Sequence, residues 1–64
     1  MTSYTPEIIE ILLANGCHFV RHGKGDHAIW FSPVTKRHFV VDAKVLSRHT
    51  ANAVMKQAGI RHKF

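Results

Sequence analysis

Sixty-four residues with a hydrophobic share of 45% allow one domain, 1–64, and exclude a two-domain enzyme with an enclosed cleft. A chain this short buries only ~60% of the surface its unfolded form exposes, so any active site is shallow. Nine Lys+Arg against four Asp+Glu give a net charge of +5, which suits a polyanion partner such as nucleic acid.

Along the chain, Thr5-Pro6-Glu7 reads as a helix start: Thr5 as cap, Pro6 in the first turn, Glu7 at the positive end of the dipole. Ile8, Ile11 and Leu12, flanked by Ile9 and Leu13, recur at helical spacing. Asn15-Gly16 stops this helix, placed over about residues 6–15. Cys17–His22 reads as a strand, and Gly23–Asp26 is a turn. His27–Ser32 and Arg37–Asp42 are two further strands, joined by a turn over Pro33–Lys36. After the connection Ala43–His49, Thr50 is the expected cap of a last helix over about 51–58, with a Schellman ending at Gly59-Ile60. The tail Arg61–Phe64 is expected to fray.

The expected fold is therefore α+β, in the order α-β-β-β-α, with a three-stranded antiparallel meander and both helices on one face. The middle strand offers two alternating sets of side chains. With Trp30 inward, as its area favours, His27, Ile29 and Phe31 share the open face. The reversed register would instead bury Ile29 and Phe31. Phe31 or Ile29 on the open face would be available to RNA bases or a protein partner.

Charge is unevenly spread. Residues 1–16 carry Glu7 and Glu10 and no base, a sum of −2, whereas residues 17–64 carry all nine bases with Asp26 and Asp42, a sum of +7. No apolar run approaches the ~18 residues of a membrane span, and no basic leader precedes an apolar stretch. The single Cys17 forms no internal disulfide and fits a reducing cytoplasm. Without a Cys-x-x-Cys pair there is no zinc staple, so stability rests on packing, helped by a partner. No metal and no small-molecule cofactor are expected.

Among the six histidines, His18 and His22 would share one face of a regular strand ~13 Å apart, too far for one metal. His27 is distinctive because it follows Gly25-Asp26 where a turn enters a strand. A histidine there is either a surface residue opening a strand or a group that moves a proton near neutral pH. Lys24 and Arg37 are candidate phosphate contacts that favour an anionic transition state. Arg48 is a further candidate near the start of the last helix, whose free N–H groups also suit a phosphate. Gly25 is either a simple turn residue or one that lets the backbone approach a substrate. RNA supplies its own nucleophile, the 2′-hydroxyl beside each phosphate, so a base that removes that proton needs no metal.

Gly16, Phe19, Val20, Gly25-x-His27, Pro33 and the ending Thr50…Lys56-Gln57-Ala58-Gly59-Ile60 resemble the HicA (YcfA-like) family of small toxins from toxin–antitoxin pairs, over residues 7–60. The resemblance implies a double-stranded-RNA-binding-like fold. It also implies a ribosome-independent ribonuclease that cleaves mRNA, with His27 at the family's catalytic histidine. The implied partner is a HicB-like antitoxin that covers the site, and DNA is contacted only through the complex that represses its own operon.

Three positions depart from the family pattern. Asp26 replaces the usual Ser before the histidine, an acid able to orient the imidazole or to repel phosphate. Val40-Val41-Asp42 replaces a Pro-x-His-like element, and Arg48-His49 replaces Pro-Gly before the capping Thr50. The general acid is left open between His49, Lys24 and water. Two other functions fit the same residues: a non-catalytic RNA-binding module, and a small subunit that binds a protein through its open sheet face.

Overall fold

A computed structural model describes residues 3–64. Met1 and Thr2, which begin the acidic segment and the expected domain, lie outside the described residues. The element order is α1 (Thr5–Ala14), β1 (His18–His22), β2 (His27–Ser32), β3 (Arg37–Asp42) and α2 (Arg48–Ala58), as the residue patterning implies. The strands form one antiparallel sheet in the order β1-β2-β3.

Helix α1 begins one residue earlier than its cap signal suggests. Tyr4 occupies the cap position without a side-chain bond, and Thr5 lies inside the helix. Its hydroxyl is used in tertiary structure instead. Oγ1 accepts from the Val45 amide at 2.9 Å and donates to the Asp42 carbonyl at 3.4 Å, holding the β3–α2 connection on α1. A buried amide must find an acceptor, and that need overrides the local capping preference. At the other end, Gly16 takes a positive φ of 84°.

Trp30 is 5% exposed and packs with Phe39, Val41, Ile8, Leu12, Val54 and Met55, so the inward set is the one containing Trp30. β3 supplies Phe39 and Val41 from alternate positions, as period two requires. The helices cover this face. The opposite face carries His27, Ile29 and Phe31 of β2.

The β1–β2 ladder is irregular. Phe19 pairs with Trp30 and Arg21 with Ile29, which leaves Val20 as the extra residue of a bulge. The bulge moves His22 to the face opposite His18: His18 pairs with Phe31 on the open face, and His22 pairs with Ala28 on the helix side. The shared face expected for the two histidines is thereby corrected, since an extra residue inverts the alternation beyond it.

Helix α2 is capped by Ser47, not Thr50. The Ser47 hydroxyl accepts from the His49 and Thr50 amides at 3.1 and 3.3 Å, so the helix starts at Arg48, ahead of the expected residue 51. Its far end follows the expected Schellman pattern. Gly59 has φ 76°, and the Ile60 amide donates to the Met55 carbonyl at 2.9 Å. The tail beyond is ordered against the helix: the Phe64 amide donates to Asn52 Oδ1 at 2.7 Å, and the Phe64 ring meets Tyr4 edge-on at 5.3 Å. An unused amide acceptor on α2 and an aromatic seat on Tyr4 hold what charge alone suggested would fray. Among the described residues no helix is long and apolar enough to cross a membrane.

Candidate active site

The Gly23–Asp26 turn delivers His27 to the first position of β2. Gly25 takes a φ of 68° there, a conformation open to glycine at little cost. The Gly23 amide donates to the His27 carbonyl at 2.8 Å, and the Ala43 amide donates to the Asp26 carbonyl at 2.9 Å. The backbone under His27 is therefore fixed by both neighbouring strands, while its side chain remains 50% exposed.

The register of the β2–β3 hairpin places Asp42 opposite His27. Nδ1 of His27 contacts Oδ1 of Asp42. In a neutral imidazole a carboxylate at Nδ1 favours hydrogen on that nitrogen and leaves Nε2 as the acceptor. The carboxylate on the imidazole is thus the one at the end of β3. Asp26, whose position beside His27 in the sequence suggested that role, instead contributes its backbone carbonyl and lines the adjacent pocket.

That pocket, about 230 Å³, is lined by His22, Gly25, Asp26, His27, Trp30 and Asp42, with Thr5 and Ile9 of α1 behind them. It is shallow and sits where the sheet end meets α1. The bulge at Val20 brings His22 into it. The His22 ring packs edge-on against Phe19 at 5.1 Å, and Phe19 in turn meets Trp30 at 6.2 Å. Two imidazoles from neighbouring strands thus line one pocket, His27 from the open face of the sheet and His22 from the helix side.

The other sequence-derived candidates are not all drawn together. Lys24 lies in the exposed turn beside Gly25. Arg37 pairs with Ser32 at the opposite end of the hairpin, ~17 Å along the strand from His27. It therefore does not join Lys24 around one phosphate, because an antiparallel return puts the first residue of β3 beside the last of β2. Arg48 is the exposed first residue of α2, at the end of the short connection from Asp42. His49 faces a different groove, on α2. Asp42 and His22 were both missed as site residues. Asp42 was readable from hairpin register, since a tight turn pairing Ser32 with Arg37 obliges Asp42 to face His27.

A small α+β protein with a histidine–carboxylate pair at the open end of a three-stranded sheet is the class these features define. Residues 5–60 match the model of the HicA toxin family of bacterial toxin–antitoxin systems, and the chain belongs to that family. No curated protein and no solved structure matches the chain.

Proposed function

We propose that this toxin is a metal-independent, ribosome-independent endoribonuclease that cleaves mRNA, with His27 as the general base. The observation that carries the reading is the His27–Asp42 pair on an open pocket. Nε2 of His27 takes the proton from the 2′-hydroxyl, and the resulting oxygen attacks the adjacent phosphorus. The bond from phosphorus to the 5′-oxygen breaks, leaving a 2′,3′-cyclic phosphate and a 5′-hydroxyl. The proton this leaving oxygen requires comes from His22, the second imidazole lining the pocket. Asp42 positions His27 and takes no proton itself, the division of labour seen when a carboxylate holds a catalytic imidazole.

Gly25 keeps the rim low enough for the sugar–phosphate backbone, and the exposed Lys24 and Arg48 serve as phosphate contacts. Arg37 serves the RNA farther along the strand direction. A HicB-like antitoxin neutralises the toxin by covering His27. The open sheet face favours such a partner: Phe31 lies between His18 and His38 at ring distances of 5.5 and 5.1 Å, beside Ile29 and the exposed Val40.

The test is growth and total mRNA integrity after induced expression of the toxin and of His27→Ala. Arrest with mRNA loss in the first and neither in the second supports the reading. Arrest that persists in a folded His27→Ala protein rejects it, and cleavage products ending in a 3′-hydroxyl reject the 2′-hydroxyl mechanism.

A further inference from the structure

A groove of about 660 Å³ lies between α2 and the C-terminal tail and shares no lining residue with the His27 pocket. One wall is the helical stripe His49, Asn52, Ala53 and Lys56. Its spacing of three, four and seven residues makes one face of α2, distinct from the buried face of Ala51, Val54, Met55 and Ala58. The other wall is the tail segment Arg61-His62-Lys63 after Ile60. Two bonds set the groove's width. The Ile60 amide holds the start of the tail on Met55, and the Phe64 amide holds its end on Asn52. Phe64 is also seated between Tyr4 and His62, with ring distances of 5.3 and 4.6 Å.

We propose that this groove is a second RNA-binding site, which grips the sugar–phosphate backbone of the strand whose cleavage occurs at His27. It rests on the ribonuclease reading and adds where the substrate is held. Lys56 on the helix wall and Arg61 and Lys63 on the tail wall bring positive charge to a groove that Ala53 and Ile60 also line, and the imidazoles of His49 and His62 supply flat surfaces for bases. Positive walls around stacking surfaces are the arrangement that tracks a single strand without reading its sequence. None of the four acidic side chains lines the groove. The groove also begins at the N-terminal end of α2. His49 is in the first turn of α2, and only Ala43–Ser47 separates that helix from Asp42, a connection spanning ~20 Å at most. On this proposal a strand held at His27 runs past Arg48 into the groove.

The experiment uses the full chain carrying His27→Ala, so that the RNA stays intact, and a fluorescently labelled single-stranded RNA of mixed sequence. Anisotropy titrations over a salt series give affinity and salt slope. Adding Arg61→Gln and Lys63→Gln is expected to weaken binding about tenfold and to lower the slope by about 1.4, at ~0.7 per phosphate contact on a single strand. Lys36→Gln, on the turn outside both sites, is expected to change neither. Asn52→Ala removes no charge but unclips the tail, and it is expected to lower affinity as well. Unchanged affinity and slope in the folded Arg61/Lys63 variant, with the parent still binding RNA, overturns the groove and leaves the ribonuclease reading standing. The same result with lost binding of a labelled polyglutamate probe would assign the groove to an acidic protein instead. No RNA binding by the parent overturns both.

Discussion

Asp42 faces His27 across the β2–β3 hairpin, at the last residue of one strand and the first of the other. The pair sits where backbone bonds from Gly23 and Ala43 hold both sides of the turn, so the imidazole is oriented by a rigid ladder and not by a loop. Asn at position 42 keeps the shape and removes the charge, and its amide can present a donor to Nδ1. The wrong tautomer then competes. Cleavage by Asp42→Asn is expected to fall at least about tenfold in kcat with little change in KM, a smaller relative of the loss seen when a carboxylate is removed from a catalytic triad. Nitrogen NMR of the His27 ring supplies an independent readout: hydrogen should shift from Nδ1 toward Nε2. An unchanged tautomer with lost activity would show that Asp42 acts in some other way.

The two imidazoles are separable by leaving group. On the proposed mechanism every substrate needs its 2′-hydroxyl deprotonated, so His27→Ala should cost about 10²–10⁴-fold on any of them. His22→Ala should cost about 10²-fold on a dinucleotide, whose 5′-oxygen leaves poorly without a proton. On a uridine 3′-nitrophenyl phosphate, whose leaving group needs no proton, the His22 variant should approach the parent. Equal losses on both substrates would remove His22 from the role of acid and point to Lys24 or water.

How far the sequence speaks depends on whether a feature is local. The two turns were legible because Gly25 and the Pro33–Lys36 segment carry their own chemistry, and with them came strand order and the inward Trp30. Asp42 was legible in principle, being fixed by the same hairpin arithmetic, yet its sequence distance from His27 hid it behind Asp26. The bulge at Val20 has no local sign, since neither Val20 nor its neighbours is a glycine, and it decides which histidine joins the site. The tail bond from Phe64 to Asn52 is likewise invisible to patterning: Asn52 reads as a polar helix residue until the chain folds back on it.

Ser47 and Thr50 are both good caps, and only the fold decides between them. Ser47 accepts the His49 and Thr50 amides, whereas Thr50 lies in the first turn and is exposed. Ser47→Ala should lose about 0.5–2 kcal/mol in urea denaturation. Thr50→Ala should be neutral or slightly stabilising, since alanine is the better helix former. The reverse order would restore the later helix start.

The far end of α2 is joined to the β2–β3 turn through Ser32. Its fully buried hydroxyl donates to the Ala58 carbonyl at 2.6 Å and accepts from the Val34 amide at 3.2 Å. Ser32→Ala leaves the carbonyl and the amide without that partner, at about 1–3 kcal/mol. Gly59 closes the same junction from the helix side. A Cβ there would stand 2.8 Å from Thr35 Cγ2 and 2.9 Å from Val34 Cγ1, at a φ of 76°. Gly59→Ala should cost about 1–2 kcal/mol from the left-handed backbone alone, and more because Thr35 must move. Both changes loosen one contact between helix and turn, so their losses in a double-mutant cycle should fall short of additive. Strict additivity in urea midpoints would show that the helix end and the turn are held independently.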